Sequence, residues 1–148
     1  MKQMEKYSID RFLSAQECVF EEALNEIKNE RKTGHWMWFI FPQLRFLGKS
    51  EISFYYGITD ENEAIEYCQN KVLYDRYIKC CKALLETKDE DIVRIMGNID
   101  ALKLRSSITL FYLVDESSSE LYIKLIEKFY QGKFDDLTVQ YIQKRRTI

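Results

Sequence analysis

The chain has 148 residues and a net charge of -2 at pH 7, with an isoelectric point near 5.6. This length suits one domain over 1–148, and the acidic balance excludes a general nucleic-acid binder, because it provides no overall positive field to hold phosphate backbones. No stretch approaches about 18 uninterrupted apolar residues and the first residues lack an apolar signal segment, which predicts a cytoplasmic protein without a membrane span.

Apolar residues recur mainly at helical spacing. The first stripe runs over 12–27 and predicts one long amphipathic helix, with Asp10 as its N-cap and Gly34 soon after its end. Asp60 is predicted to cap a second helix over 61–69, because a side-chain oxygen at this position accepts a first-turn backbone N–H.

The middle of the chain continues the helical pattern. A third helix is predicted over 73–85, and a short fourth over 91–96 is stopped by Gly97. Residues 100–114 are apolar over most of their second half, which favours a buried central helix over a buried strand without deciding between them.

Two further helices are predicted at the C-terminal end. The run Ser117–Glu120 resembles a capping box before the next apolar stripe, which Gly132 closes, and Asp135 or Asp136 then caps the last helix. The whole pattern predicts an all-α fold, a single compact domain of six to eight helices packed as an orthogonal or irregular bundle.

One segment interrupts this pattern. The sequence GHWMWFIFPQ, over 34–43, holds both tryptophans, the only histidine and the only proline of the chain. Alternating residues would face opposite sides of an extended segment, whereas His35 and Trp38 would share one face of a helix. Pro42 ends regular structure, so Gln43 is expected to leave the segment at a turn.

This aromatic segment has two interpretations. It is a hydrophobic plug of the core, since buried aromatic residues are ordinarily core, or it forms the wall of a ligand pocket. In the second case Trp36 and Trp38 stack on a planar group, while His35 and Gln43 supply polar contacts. Histidine ordinarily titrates near neutrality, which makes His35 the candidate catalytic acid or base.

A second polar group occurs in DALKLRSSITLF, over 100–111. In a helix, Asp100, Lys103, Ser106 and Ser107 occupy neighbouring positions at the start of the buried run. With Arg105 they can form an anion-binding lip for phosphate or carboxylate. The alternative is an exposed first turn followed by small residues that let helices approach closely.

The cysteines and the single histidine limit metal chemistry. The four cysteines do not repeat at the spacing of a metal site, so we predict no metal site and no cofactor. Cys80 and Cys81 are interpreted as structural thiols of a reduced protein.

At the two motif segments the chain resembles a known family, Domain of Unknown Function 1810. The resemblance rests on KTGHWMWFIFPQLRFLGKS and DALKLRSSITLF and covers about 10–142, which leaves 1–9 and 143–148 as tails. It implies an all-helical fold and leaves function unassigned; some members carry a calpastatin label, although this composition is not that of a disordered inhibitor. The family motif falls on His35, Trp36, Trp38, Pro42, Gln43, Lys103, Ser106 and Ser107.

One departure from the family is visible. Where relatives often read His-Pro-Val-Leu-Gly, this chain has NKVLY over 70–74. A mechanism that needs a second histidine would therefore not operate here.

Two functions remain open at this point. The first is a small-molecule site of nucleotide or ADP-ribose type, with binding or hydrolysis carried by the two motif segments. The second is a protein-interaction or structural module that uses the aromatic segment as an interface, because tryptophan and tyrosine are favoured interface anchors. The sequence does not predict the oligomeric state.

Overall fold

The computed structural model describes residues 7–147, and this part of the chain is all-α. Its longer connections include 3-10 turns and one isolated backbone bridge between Leu44 and Ile58. No helix in the described range is long and apolar enough to cross a membrane. The helices are α1 (Asp10–Gln16), α2 (Phe20–Lys28), α3 (Met37–Ile40), α4 (Glu51–Tyr56), α5 (Glu61–Gln69), α6 (Lys71–Leu85), α7 (Ile92–Met96), α8 (Asn98–Val114), α9 (Ser119–Tyr130) and α10 (Asp136–Arg146).

The first predicted helix is wrong as a single element. It is divided into α1 and α2 by a turn over 17–19, and Asp10 lies inside α1 rather than capping it. The break lets α1 pack on α3 while α2 packs on α6. Gln16 sits at the break, where its buried amide donates to the Phe39 carbonyl at 2.7 Å.

Two predicted caps, Asp60 and Asp135, are confirmed, and Asp91 caps α7 in the same way although no cap was predicted there. Asp60 accepts from the Glu63 amide at 2.9 Å, Asp91 accepts from the Val93 amide at 3.0 Å, and Asp135 accepts from the Thr138 amide at 3.1 Å. Each carboxylate satisfies a first-turn N–H that has no acceptor within its helix.

The capping box predicted at Ser117–Glu120 is wrong. The Ser118 side chain makes no cap hydrogen bond and instead lies 2.5 Å from the Tyr74 hydroxyl. That hydroxyl donates to Asp115 at 2.9 Å, so these side chains join the start of α6 to the end of α8. A tertiary partner has displaced the local one.

Helix α8 is the central element, and the choice left open between helix and strand is settled as helix. It packs against α3, α5, α7, α9 and α10, and residues 106–111 are all buried. Beside it, the Tyr77 ring lies 4.5 Å from the Phe111 ring and 5.5 Å from the Phe41 ring. Burial of each such side chain contributes about 1.5–3 kcal/mol.

A buried ion pair joins α1 to α5. Arg11 and Glu63 are 2.7 Å apart, with side chains 2% and 0% exposed. Arg11 also donates to the carbonyls of Tyr55 and Gly57, and Glu63 accepts from the Thr59 amide. Burial raises the pKa of Glu63, but the hydrogen bonds from Arg11 and Thr59 outweigh it and hold the pKa below its usual value.

Candidate functional site

The two motif segments meet at a cleft of about 570 Å³. One wall comes from the loop over 32–36 and from α3, and it includes His35 and Trp38. The other wall comes from the junction of α7 and α8, residues 96–100, and from Lys103 one turn further along α8. A volume of this size is typical of a small-molecule pocket, for which about 300–1,000 Å³ is usual.

The Trp38 ring and Lys103 form the contact between the walls. The Lys103 Nζ atom lies 5.0 Å from the centre of the Trp38 ring, and both side chains are partly buried. An ammonium in this position is attracted by the negative face of the indole. Within residues 7–147 Lys103 forms no ion pair.

Lys32 also lines the cleft, but its ammonium is already paired with a carboxylate. Its Nζ atom lies 2.8 Å from the Asp100 carboxylate and donates to the Gly34 carbonyl at 2.5 Å. It also faces the Trp36 ring at 4.8 Å. Lys32 therefore ties the His35 loop to the first turn of α8 and balances the only carboxylate that lines the cleft in the described chain.

The loop that carries His35 is hydrogen-bonded to α2. The Glu26 Oε1 atom accepts three hydrogen bonds of 2.9 Å, from the Thr33 and Gly34 amides and from the Trp36 indole. Burial raises the pKa of Glu26, but these three donors outweigh it and hold the pKa below the usual value. His35 itself is exposed at the cleft and has no hydrogen bond within the described residues.

The comparisons with known proteins agree with this architecture. The model of a family described as "Protein of unknown function (DUF1810)" matches residues 6–142. The chain belongs to this family. The predicted family resemblance is confirmed.

A solved DUF1810-like structure supports the fold in detail. The crystal structure of the conserved hypothetical protein Rv1873 from Mycobacterium tuberculosis is 38% identical to this chain, with a TM-score of 0.87. The match covers 90% of this chain and 95% of that one. No match was found among curated proteins. The DUF1810 description names no activity, so a function has to be argued from the site.

Two predicted residues of the DUF1810 aromatic segment lie away from the cleft. Trp36 is 1% exposed and packs beside Phe41, so its face is not open to a ligand. Gln43 lines a separate recess of about 10 Å³ that also borders Trp38. The Gln43 carbonyl accepts a hydrogen bond from the Ile58 amide at 2.8 Å, beside the backbone bridge between Leu44 and Ile58.

The remaining predicted residues on α8 also lie outside the cleft. The buried Ser107 hydroxyl lies 2.8 Å from the Tyr77 hydroxyl, and the Ser106 hydroxyl donates to the Leu102 carbonyl at 3.2 Å. The Arg105 side chain faces α9, where its guanidinium lies 5.8 Å from the centre of the Tyr130 ring. Of the predicted anion lip, only Lys103 and Asp100 line the cleft.

The aromatic segment is therefore a core element with one accessible ring. Its buried members do not form the exposed interface that an interaction module would require, and of its tryptophan and phenylalanine rings only Trp38 lines the cleft. Exposed apolar side chains occur instead in the following segment, at Phe46, Ile52, Phe54 and Tyr55.

Three contributors to the site were missed from the sequence. Lys32 lies two residues before the aromatic segment, and its position close to GHWMW is a signal that was available. Ile99 is 71% exposed on the cleft wall, which is unusual for an isoleucine near a helix start. Glu26 has no local signal, because its partners lie seven to ten residues away in a loop.

Proposed function

We propose that this DUF1810 protein binds a small molecule with a planar group and a negatively charged group, of nucleotide or ADP-ribose type, in the cleft. One observation carries the proposal. The Lys103 ammonium has no ion-pair partner in the described chain and lies 5.0 Å from the centre of the accessible Trp38 ring. A cation beside an aromatic face is the arrangement that such a ligand requires.

The charges around the cleft favour an anion. Lys32 and Lys103 face one carboxylate, Asp100, and the 2.8 Å pair of Lys32 with Asp100 leaves Lys103 as the unbalanced charge. The first turn of α8 adds to this, because Gly97 has no side chain to cap it. Free first-turn N–H groups and the positive end of the helix dipole both favour negative charge.

The apolar part of the cleft favours a planar group. Trp38 lies on one side, and Met96 and Ile99 lie on the other. Base or aromatic-ring stacking on an indole contributes about 1–3 kcal/mol in nucleic-acid complexes. The ligand is therefore expected to place its ring against Trp38 and its anionic group towards Lys103.

A hydrolytic form of this function would use His35 as general acid or base. The imidazole lies at the cleft wall, within the reach of a ligand bound there. Its ring has no orienting hydrogen bond within the described residues, so the geometry supports binding more strongly than turnover.

Titration calorimetry tests the proposal with ADP, ADP-ribose, adenosine and sodium phosphate. We expect saturable binding of ADP or ADP-ribose, and weaker binding of adenosine and of phosphate, which each carry half of the required chemistry. At a concentration one hundred times the dissociation constant, the bound ligand would add about 2.7 kcal/mol to the stability of the folded state.

Matched lysine variants provide the control. Lys103→Gln is expected to weaken binding at least tenfold, whereas Lys124→Gln, which removes an exposed lysine of α9 outside the cleft, should change it less than twofold. The proposal is overturned if the wild-type protein binds no member of the panel at millimolar concentration, or if both variants lose affinity equally.

A further inference from the structure

One carboxylate oxygen accepts three hydrogen bonds from the segment around His35. Oε1 of Glu26 accepts from the Thr33 amide, the Gly34 amide and the Trp36 indole, each at 2.9 Å. These donors bracket His35 on both sides. A carboxylate that accepts several N–H groups makes charge-assisted hydrogen bonds, which are shorter and stronger than neutral ones.

The peptide groups of Gly34 are held from two directions. Its amide donates to Glu26 and its carbonyl accepts from Lys32. A Cβ atom at Gly34 would lie 2.9 Å from Cδ1 of Trp36 and 3.2 Å from Oε2 of Glu26. Only glycine allows this close approach without a shift of the neighbouring side chains. The loop before His35 is therefore built around the Glu26 carboxylate.

His35 has no hydrogen bond of its own in the described chain, so its place at the cleft depends on its backbone. We propose that Glu26 is a positioning residue that holds the 33–36 loop, and with it His35, in the wall of the ligand cleft. The inference rests on the proposed function, because it assigns Glu26 a role in forming that site. Glu26 does not line the cleft and acts through the loop.

The test compares three substitutions at two glutamates of α2. Glu26→Ala removes the acceptor, Glu26→Gln keeps an oxygen in its place, and Glu22→Ala removes an exposed carboxylate of the same helix. Backbone NMR relaxation reports the order of residues 33–36, and the signal of the only imidazole in the chain reports the surroundings of His35.

We expect Glu26→Ala to lower the backbone order parameters of residues 33–36 from about 0.85 to below about 0.6. The His35 signal should move towards its unstructured value, and ADP affinity should fall at least tenfold. Glu26→Gln should keep the order parameters near about 0.85 and the ADP affinity within twofold of wild type, and Glu22→Ala should leave both unchanged. If Glu26→Ala does not fold, Glu26→Asp takes its place, since it withdraws the oxygen by one methylene.

The outcomes separate the two proposals. Unchanged order in 33–36 with Glu26→Ala, or equal loosening with Glu26→Gln, overturns the positioning role. Loss of order without loss of ADP affinity overturns it as well. If wild-type protein binds no ADP, the proposed function fails, while the order of the loop still decides whether Glu26 holds it.

Discussion

The Arg11–Glu63 pair and the cleft show two uses of charge in one small protein. Arg11 is almost fully buried, and it donates to Glu63 and to several backbone carbonyls. Lys103 is partly buried and meets the face of Trp38, without an ion pair in the described chain. The guanidinium of Arg11 is surrounded by acceptors of the protein itself, whereas the ammonium of Lys103 faces an aromatic ring.

The comparison teaches how to separate a structural charge from one available to a ligand. Burial alone does not separate them, because Lys32 is as enclosed as a structural residue and yet lines the cleft. Arg11 and Lys32 each have a carboxylate partner, and Lys103 has none in the described chain. A buried charge with a full set of hydrogen bonds stabilises the fold only as long as all its partners remain.

Breaking the buried Arg11–Glu63 pair should have the largest effect on stability. Glu63→Ala leaves the Arg11 guanidinium buried without its carboxylate, and we expect a loss of about 3–5 kcal/mol in the free energy of unfolding, measured by urea denaturation. Glu61→Ala is the control on the same helix, α5. It breaks a partly exposed ion pair with Arg146 of α10 and should cost less than about 1 kcal/mol. Equal losses would remove the distinction between the two regions.

The Lys32–Asp100 pair should give an intermediate effect with opposite signs for stability and binding. Asp100→Asn removes the partner of Lys32, so unfolding free energy should fall by about 1–2 kcal/mol, between exposed and buried pairs. It also removes the carboxylate from the cleft, so ADP should bind about fivefold more tightly. Asp136→Asn, in the first turn of α10, is the matched control for the helix dipole. Weaker ADP binding in Asp100→Asn would contradict this assignment of charges.

Acid should reduce the contribution of the Arg11–Glu63 pair to stability. The pKa of Glu63 is lowered in the folded protein, so the folded state binds fewer protons than the unfolded one. Its contribution to stability is therefore complete above the usual glutamate pKa of about 4.3 and is lost as the pH falls through the folded value. The stability gap between wild type and Glu63→Gln, from urea denaturation at pH 7 to pH 3, should narrow below about pH 4. A constant gap would contradict the expected titration.

The smallest effect on stability is expected at the cleft wall. His35→Ala should change the free energy of unfolding by less than about 0.5 kcal/mol, since the side chain is exposed and has no hydrogen bond in the described residues. ADP affinity should nevertheless fall, and calorimetry on the same samples measures it. A collapse of the melting temperature would assign His35 to the fold instead.

Local chemistry explains which parts of the fold could be predicted. Asp60 and Asp135 cap helices as predicted, because their partners lie three residues away. The break after α1 could not be predicted in the same way, since Gln16 is drawn towards Phe39, 23 residues further along the chain. Ser118 fits a local capping motif and is held by Tyr74 instead.

The site was predictable to a similar degree. Trp38 and Lys103 were both named from the sequence, and they line the same cleft. Trp36 carries the same indole group as Trp38 but is buried, and Ser107, another polar residue of the same motif as Lys103, is buried as well. Neighbouring residues of a helix face different surroundings, so a motif names several residues of which the fold exposes a part.

The two tryptophans differ in exposure, so the intrinsic fluorescence of the protein can report on the cleft. Trp36 is sealed at 1% exposure and Trp38 is accessible from the cleft, while each has a lysine ammonium within 5.0 Å of its ring centre. A collisional quencher such as acrylamide will therefore reach the emission of one indole and spare the other. A molecule bound in the cleft will shield Trp38 from the quencher. Binding can then be followed without a label, as a fall in the quenchable fraction of the emission.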